Sequence, residues 1–414
     1  YGTELAQHEG LFRRYRQLRS SGAFAVLTPA RARVVENRLR DFRLGGAELA
    51  EDAKARYKAI AERLAELSSK FSDNVLDATN GFALYATEPS EVAGIPEDAL
   101  TAAAAAAKAD GRAGWKFTLQ MPSYLPVIQY ADHRPLRERL YRAYTTRASE
   151  FGNPAFDNSP IVDEIVRLRR EEAQLLGYRS FAEVSLVPKM ADGPDQVLGF
   201  LRDLGRRAKP FAERDFRELQ SFARERLGLD KLESWDVAWA SEKLREERYA
   251  FSEQDVKQYF PEDRVVPGMF RVVENLYGLK IVPDEAPRWH PDVHFYRVTT
   301  AEGRTVGQFY LDLYARATKR GGAWMDDALT RRRVAQGIQT PVAYLNCNFT
   351  SPLPGRPALF THDEVITLFH EFGHGLHHLL TQVEDLAVSG INGVEWDAVE
   401  LPSQFMENFC WEWD

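Results

Sequence analysis

A short stretch near the carboxyl end of the chain concentrates residues that bind metal ions. Residues 368–380 read LFHEFGHGLHHLL and hold four of the nine histidines in 414 residues. His370 and His374 are one helical turn apart, so both imidazoles could reach one ion from the same face. Glu371 points to the side of that face, where it could reach a water molecule bound to the ion. This HExxH spacing is typical of two zinc ligands and a general base.

The same spacing also arises by chance, in roughly one protein in a hundred of this length and composition. Two observations favour a metal site over chance. Gly373 and Gly375 each cost a helix about 1 kcal/mol relative to alanine, so they indicate close approach by another backbone or a ligand. Residues 361–414 also contain eleven acids and no Lys or Arg. Acids half-buried among Phe, Trp and Leu favour a nearby divalent cation.

The other two histidines of this stretch are less suited to bind the ion. His377 is predicted on the same helix face, but it lies about 10 Å along the axis from His370. It is therefore predicted to line the site rather than to bind the ion. The pattern assigns no role to His378. Cys347 is predicted to be a packed strand residue. A water molecule activated by a metal ion needs no thiol, so neither Cys347 nor Cys410 is expected to take part in the chemistry of the site.

A catalytic zinc site needs a third protein ligand and one open position for water. The downstream candidates are Glu384, Asp385, Glu395, Asp397, Glu400 and Glu407. Asn392 and Glu395 have the spacing of a helix start. Such a helix would place on one face Asp397, Glu400, Gln404 and Glu407. Pro402 should kink that helix, and spacing alone does not choose between Asp397 and Glu400.

The histidines are predicted to lie on a helix that begins after Thr361. Thr361 and Glu364 have the spacing of a capping box. Apolar residues then recur at intervals of three and four, which gives one buried stripe with His370 and His374 on roughly the opposite face. The apolar positions are Val365, Leu368, Phe369, Phe372, Leu376, Leu379 and Leu380.

Strands are predicted to cluster just before this helix in an otherwise α-rich chain. The composition predicts a hairpin formed by residues 292–298 and 305–315. It also predicts a third strand at residues 341–349 and a short fourth strand at residues 357–360. Residues 115–131 have a β-like composition, and the rest of the first ~250 residues is predicted to be mostly helical. A sheet edge could bind an extended peptide, although a sheet that only braces the helix fits the residues equally well.

Bulk composition excludes several function classes. The chain is 44% hydrophobic and 28% charged, with a net charge of −8, which argues against nucleic-acid binding by phosphate neutralisation. No apolar run approaches the ~18 residues of a membrane span. Two cysteines are too few for a disulfide framework, so a reducing, cytoplasmic setting is expected.

Longer segments resemble the thimet oligopeptidase family of zinc peptidases. The resemblance is most specific in HEFGHGLHHLL and in VSGINGVEWDAVELPSQFMENFCWEW. It extends to LSSKFSDNVLD at 67–77, FYLDLYAR at 309–316 and KRGGAWMDD at 319–327. It implies that His370, His374 and Glu400 bind one zinc ion and that Glu371 is the catalytic base. Asp397 is then a candidate, from helix spacing, to hold the free N–H of a ligand histidine.

The resemblance also implies a fold and a reaction. The fold class is mainly α, a helical zincin-like clamshell with a small β-sheet beside the metal-binding helices. Residues 1–260 would form one side of a substrate channel, and residues 261–414 the catalytic region. The implied function is a monomeric zinc endopeptidase for short peptides. Family members begin earlier and continue beyond the third ligand, so this chain is expected to be part of a larger protein.

Two other functions remain open from the residues. One is a peptidase of the same family that removes dipeptides from C-termini. It would need a cation that holds the substrate carboxylate, and the sequence does not identify one. The other is a non-catalytic helical scaffold that binds peptides. Glu371 argues against a scaffold, because a structural zinc site gains nothing from that acid.

Overall fold

The structure, a computed structural model, describes residues 2–316, 318–352 and 355–412. Most of these residues are helical. The α-helices are α1 (Gly2–Ala6), α2 (Glu9–Ser20), α3 (Pro29–Leu44), α4 (Glu51–Asn80), α5 (Glu97–Ala109), α6 (Met121–Tyr130), α7 (Arg134–Thr145), α8 (Ser159–Leu175), α9 (Phe181–Leu186), α10 (Pro194–Leu227), α11 (Val237–Tyr249), α12 (Glu253–Lys257), α13 (Glu262–Tyr277), α14 (His362–Leu379) and α15 (Leu401–Glu407).

The strands of the described residues are short and lie mostly in the second half of the chain. They are β1 (Leu84–Ala86), β2 (Trp115–Phe117), β3 (Leu279–Pro283), β4 (His294–Thr300), β5 (Thr305–Tyr314), β6 (Trp324–Leu329), β7 (Arg332–Val334), β8 (Gly337–Gln339) and β9 (Val342–Phe349). The predicted fold class is confirmed: the protein is mainly α, with a small sheet beside the histidine helix.

One five-stranded sheet has the order β3-β4-β5-β9-β6. The β5–β9 pair is parallel and the other three pairs are antiparallel. One face of the sheet packs on α13 and α14 through a shared core that includes Phe270, Phe309, Leu345 and Phe372. The burial of these large apolar side chains fixes α14 against the sheet. Within the described residues, β6 is an edge strand with one side unpaired.

The histidine helix forms as the sequence predicts. The Thr361 hydroxyl accepts a hydrogen bond from the Glu364 N–H at 3.1 Å, and the Glu364 carboxylate accepts one from the Thr361 N–H at 2.8 Å. This reciprocal pair satisfies two backbone donors that the first turn leaves free. The predicted apolar stripe is buried from Val365 to Leu379.

Two strand predictions are only partly right. In the 115–131 segment only Trp115–Phe117 is extended, and α6 follows it. Pro122 lies in the first turn of α6, where its missing N–H costs little. In the 357–360 segment the structure has one isolated bridge, between Leu359 and Pro261, rather than a strand. The predicted hairpin and third strand are confirmed as β4, β5 and β9.

The prediction of one continuous helix that starts at Asn392 is also wrong. The structure has a short 3-10 turn, Trp396–Ala398, and then a separate helix, α15. Pro402 therefore lies in the first turn of α15 and causes no kink. Among the described residues, no helix combines the length and the apolar character that crossing a bilayer requires.

Candidate metal centre

Three side chains, two from one helix and one from the residue before another, converge on one point. His370 and His374 lie on α14, and Glu400 immediately precedes α15. The Glu400 Oε2 atom lies 3.1 Å from His370 Nε2 and 3.2 Å from His374 Nε2. One ligand atom from each residue lies within 4.8 Å of the other two. The structure thus brings together the three residues that the resemblance implied, although they are up to thirty positions apart in the sequence.

This donor set fits a zinc ion. Two imidazole nitrogens and one carboxylate oxygen are a common catalytic zinc set. Ligand atoms about 2.0–2.1 Å from a tetrahedral ion lie roughly 3.3 Å apart, which is close to the separations from Glu400. Of the described residues, only His370, His374 and Glu400 form such a group of His, Cys, Asp or Glu donors.

The two helices come this close because Gly373 has no side chain. A Cβ atom on Gly373 would lie 2.5 Å from the Pro402 carbonyl oxygen and 2.6 Å from the Ser403 Cα atom. Glycine at this position therefore lets the backbone of α15 touch α14. The expected close approach by another backbone is confirmed for Gly373. At Gly375 the neighbour is the side chain of Leu345, so the expectation does not hold there.

Two further residues orient the side chains of His370 and Glu400, and the sequence analysis predicted neither role. The Glu407 Oε1 atom lies 2.6 Å from His370 Nδ1, so the carboxylate fixes the ring with Nε2 toward Glu400. The Ser403 hydroxyl donates to Glu400 Oε2 at 2.9 Å. The sequence made Glu407 one of the candidates for the third metal ligand. Its contact with His370 indicates instead that it orients that histidine.

The hypothesis for Asp397 is wrong. Its carboxylate accepts hydrogen bonds from the backbone N–H groups of Met190 and Ala191 at 2.9–3.0 Å, rather than from His370 or His374. Because residues 392–400 do not form one helix, the helical spacing used in the prediction does not apply to Asp397, whose side chain does not face the histidines. The other acids also have partners elsewhere: Glu384 pairs with Arg333, Asp385 with Arg31, and Glu395 with Arg33.

Glu371 lies beside the three donors in a nearly closed environment. Its side chain is only 6% exposed, and its Oε2 atom has no hydrogen-bond partner among the described residues. The Met325 backbone N–H on β6 donates to the Glu371 carboxylate. Burial raises the pKa of Glu371 to about 7, with the charge of Glu400 adding to the rise. A carboxyl with that pKa can both accept and return a proton near neutral pH.

The remaining histidines of the stretch lie outside the donor group. His377 is half-buried, burial lowers its pKa, and its Nδ1 atom has no partner among the described residues. His378 is fully buried, and its Nε2 atom lies 2.9 Å from the Leu329 carbonyl oxygen. His378 thus links α14 to the end of β6, which is a structural role that the sequence did not indicate.

Comparisons with known proteins agree with this geometry. The profile of peptidase family M3 matches residues 127–414, and that of the neurolysin/thimet oligopeptidase N-terminal domain matches residues 1–54. The oligopeptidase A proteins of Salmonella typhimurium and Escherichia coli are both 52% identical over 416 residues, which covers 100% of this chain and 61% of each relative. A dipeptidyl carboxypeptidase of Escherichia coli is 33% identical over 381 residues, 91% of this chain and 55% of that protein.

Proposed function

This chain belongs to peptidase family M3, and from that premise we propose that it is the zinc-binding part of an endopeptidase for short peptides. The chain spans about 61% of the length of the oligopeptidase A relatives, so the activity proposed is that of the whole protein. The observation that supports it most is the convergence of His370, His374 and Glu400 beside the buried carboxylate of Glu371.

In this proposal the two histidines and Glu400 hold one zinc ion per chain. The chemistry that zinc supplies when bound is polarisation of the scissile carbonyl and acidification of the attacking water. Glu371 accepts the proton of that water as it attacks the carbonyl carbon. Glu371 then returns the proton to the amine nitrogen that leaves, so atoms and charges balance without a covalent intermediate.

The free edge of β6 gives the substrate a place to bind. An extended peptide can add to an unpaired strand edge through main-chain hydrogen bonds, which tolerate many side chains. The Met325 N–H on this strand already reaches the Glu371 carboxylate, so a peptide along β6 would pass next to the proposed base. This supports a substrate-binding role for the sheet in addition to its packing against α14.

The proposal includes the division of the chain at residue 260. Residues 261–414 would form the catalytic region, and a core that joins α13, the five-stranded sheet and α14 supports this. Residues 1–260 would form the opposite wall of the substrate channel, and they have separate apolar clusters of their own. We also propose that the protein is a monomer. We further propose a reducing, cytoplasmic setting, which the free thiols of Cys347 and Cys410 support.

The second candidate is a dipeptidyl carboxypeptidase. The 33% identity to a protein of that name supports it, whereas the higher identity to oligopeptidase A favours internal cleavage. The two activities give different products from one N-acetylated peptide of about ten residues. Release of C-terminal dipeptides alone, detected by mass spectrometry of the full-length protein's products, would reject the endopeptidase proposal.

Metal removal tests the proposal directly. We expect a chelator to abolish peptide cleavage, and we expect added Zn²⁺ to restore it at about one ion per chain. Metal content is measured by mass spectrometry alongside the cleavage rate. Full activity in a protein freed of metal would reject the zinc proposal, and metal binding without any peptide cleavage would favour the non-catalytic scaffold.

Replacement of Glu407 by glutamine should lower zinc affinity about tenfold. The amide can still accept the Nδ1–H hydrogen bond of His370, but it lacks the negative charge that makes the ring a better ligand. Competition with a zinc chelator measures this change. Asp397→Asn is the matched control, because Asp397 binds the backbone of Met190 and Ala191 instead. An equal loss in both variants would contradict the positioning role of Glu407.

A further inference from the structure

A cavity of about 530 Å³ lies between the helical region and the segment that leads into β6. Part of its wall is apolar and comes from α4 and from the segment that begins α6, including Leu76, Leu119 and Met121. The facing wall comes from residues 315–316 and 319–322 and from Asn348 at the end of β9. The side chain of Asn348 holds this segment in place, because it donates to the carbonyl oxygens of Arg320 and Gly322.

The cavity has an excess of positive charge in a chain whose net charge is −8. Its lining contains four cations, Arg147, Arg316, Lys319 and Arg320, and one acid, Asp73. Two of these cations are already neutralised in part. Arg316 and Lys319 both bind Asp312, a carboxylate that is 1% exposed.

Arg147 and Arg320 are the cations that could serve a ligand. Neither forms an ion pair with an acid in the part of the chain that the structure describes. The Arg147 guanidinium stacks on the Tyr144 ring at 3.8 Å, and its Nη1 atom donates to the Tyr144 carbonyl oxygen. Its Nε atom is buried without a partner among the described residues. Arg320 is exposed and lies 5.9 Å from the Trp324 ring. An anion in the cavity could therefore bind the guanidinium N–H groups of Arg320 and those N–H groups of Arg147 that Tyr144 leaves unpaired.

The position of the cavity relates it to the proposed substrate path. Gly322 lines the cavity, and Met325, which contacts Glu371, is three residues further along the chain, a distance of roughly 10 Å for extended backbone. A peptide that pairs antiparallel with β6 runs opposite to the chain direction of β6. Its C-terminal part would therefore pass from Glu371 toward Trp324 and Gly322, and would end near the cavity.

We propose that Arg320 and Arg147 bind a carboxylate of the peptide substrate on the C-terminal side of the scissile bond. The inference rests on the proposed peptidase function and deepens it. The carboxylate is the substrate's own C-terminus or an acidic side chain close to it, and the apolar wall receives the side chain next to it. These two arginines then favour substrates in which few residues follow the cleaved bond.

The test compares N-acetylated peptides that end in a free carboxylate or in an amide. In the full-length protein, kcat/KM should be higher for the free acid. In Arg320→Met the ratio of acid to amide should fall about tenfold, mainly through KM, as expected for the loss of a hydrogen bond to a charged group. Arg320→Lys should restore part of the ratio. Arg147→Met should act in the same direction, and Arg224→Met, on the exposed surface of α10, is the control.

A second peptide pair, with Glu or Gln near an amidated C-terminus, identifies the source of the carboxylate. If only this pair responds to Arg320→Met, the arginines bind an acidic side chain. An unchanged ratio for both pairs in Arg320→Met and Arg147→Met overturns the inference, as does an equal loss in Arg224→Met. If the unmodified protein cleaves none of these peptides, the proposed function itself fails. If it cleaves acid and amide alike, and the Glu and Gln peptides alike, only the inference fails.

Discussion

Glu371→Gln should lower peptide hydrolysis by about 10²–10⁴-fold while the protein still binds zinc. Glutamine has nearly the same shape as glutamate, but its amide cannot accept the proton of the attacking water. The three proposed ligands keep their positions, since Glu371 is not among the converging donors. Hydrolysis rates and metal content, measured on the same preparation of full-length protein, separate loss of the base from loss of the ion.

A matched control for Glu371→Gln is Glu395→Gln. Glu395 lies in the same acidic segment, but it pairs with Arg33 and lies outside the donor group. The control should keep both its zinc and its hydrolysis rate. Turnover in Glu371→Gln equal to that of the unmodified protein would reject the assigned base, and loss of zinc in that variant would leave the proton-transfer role without support.

Local sequence patterns predicted the histidine helix well because its determinants are local. The capping pair Thr361 and Glu364 is three residues apart, and the spacing of His370 and His374 is one turn. Both features depend only on helix geometry, which is the same in every protein. The pattern therefore predicted the helix start, its buried face and the two histidines of the donor group.

The contacts that complete the donor group join residues far apart in sequence. Glu407 and His370 are 37 positions apart, and no periodicity within one helix relates them. Spacing favoured Asp397 for this role only because residues 392–407 were treated as one helix. In the structure the 3-10 turn at Trp396–Ala398 interrupts that segment, so Asp397 does not share the face on which Glu400 and Glu407 contact His370. Family resemblance, rather than spacing, singled out Glu400.

Edge strand β6 was missed for a different reason. Its sequence, WMDDAL, contains two acids and lacks β-branched residues, so its composition does not predict a strand. Charged residues are nevertheless common on edge strands, where they oppose pairing with other chains. The pairing of β6 with β9 is what makes it extended, and this long-range contact is not visible in a local pattern.

Gly373→Ala should lower zinc affinity by about a hundredfold, although it changes none of the proposed ligands. Helix propensity alone would favour alanine by about 1 kcal/mol. The added Cβ atom would instead lie 2.5 Å from the Pro402 carbonyl oxygen and 2.6 Å from the Ser403 Cα atom, which are backbone atoms that cannot rotate away. The start of α15 must therefore move, and with it Glu400, whose carboxylate accepts the Ser403 hydroxyl.

The comparison with Gly375→Ala separates this steric effect from a general effect of alanine in α14. A Cβ atom on Gly375 would lie 3.0 Å from the Leu345 Cδ2 atom, the end of a side chain that can adjust. Gly375→Ala should therefore keep most of its zinc affinity, at a stability cost of about 1–3 kcal/mol at most. Circular dichroism should show both variants folded. Equal zinc affinity in the two variants would mean that contact between α14 and α15 at Gly373 does not position Glu400.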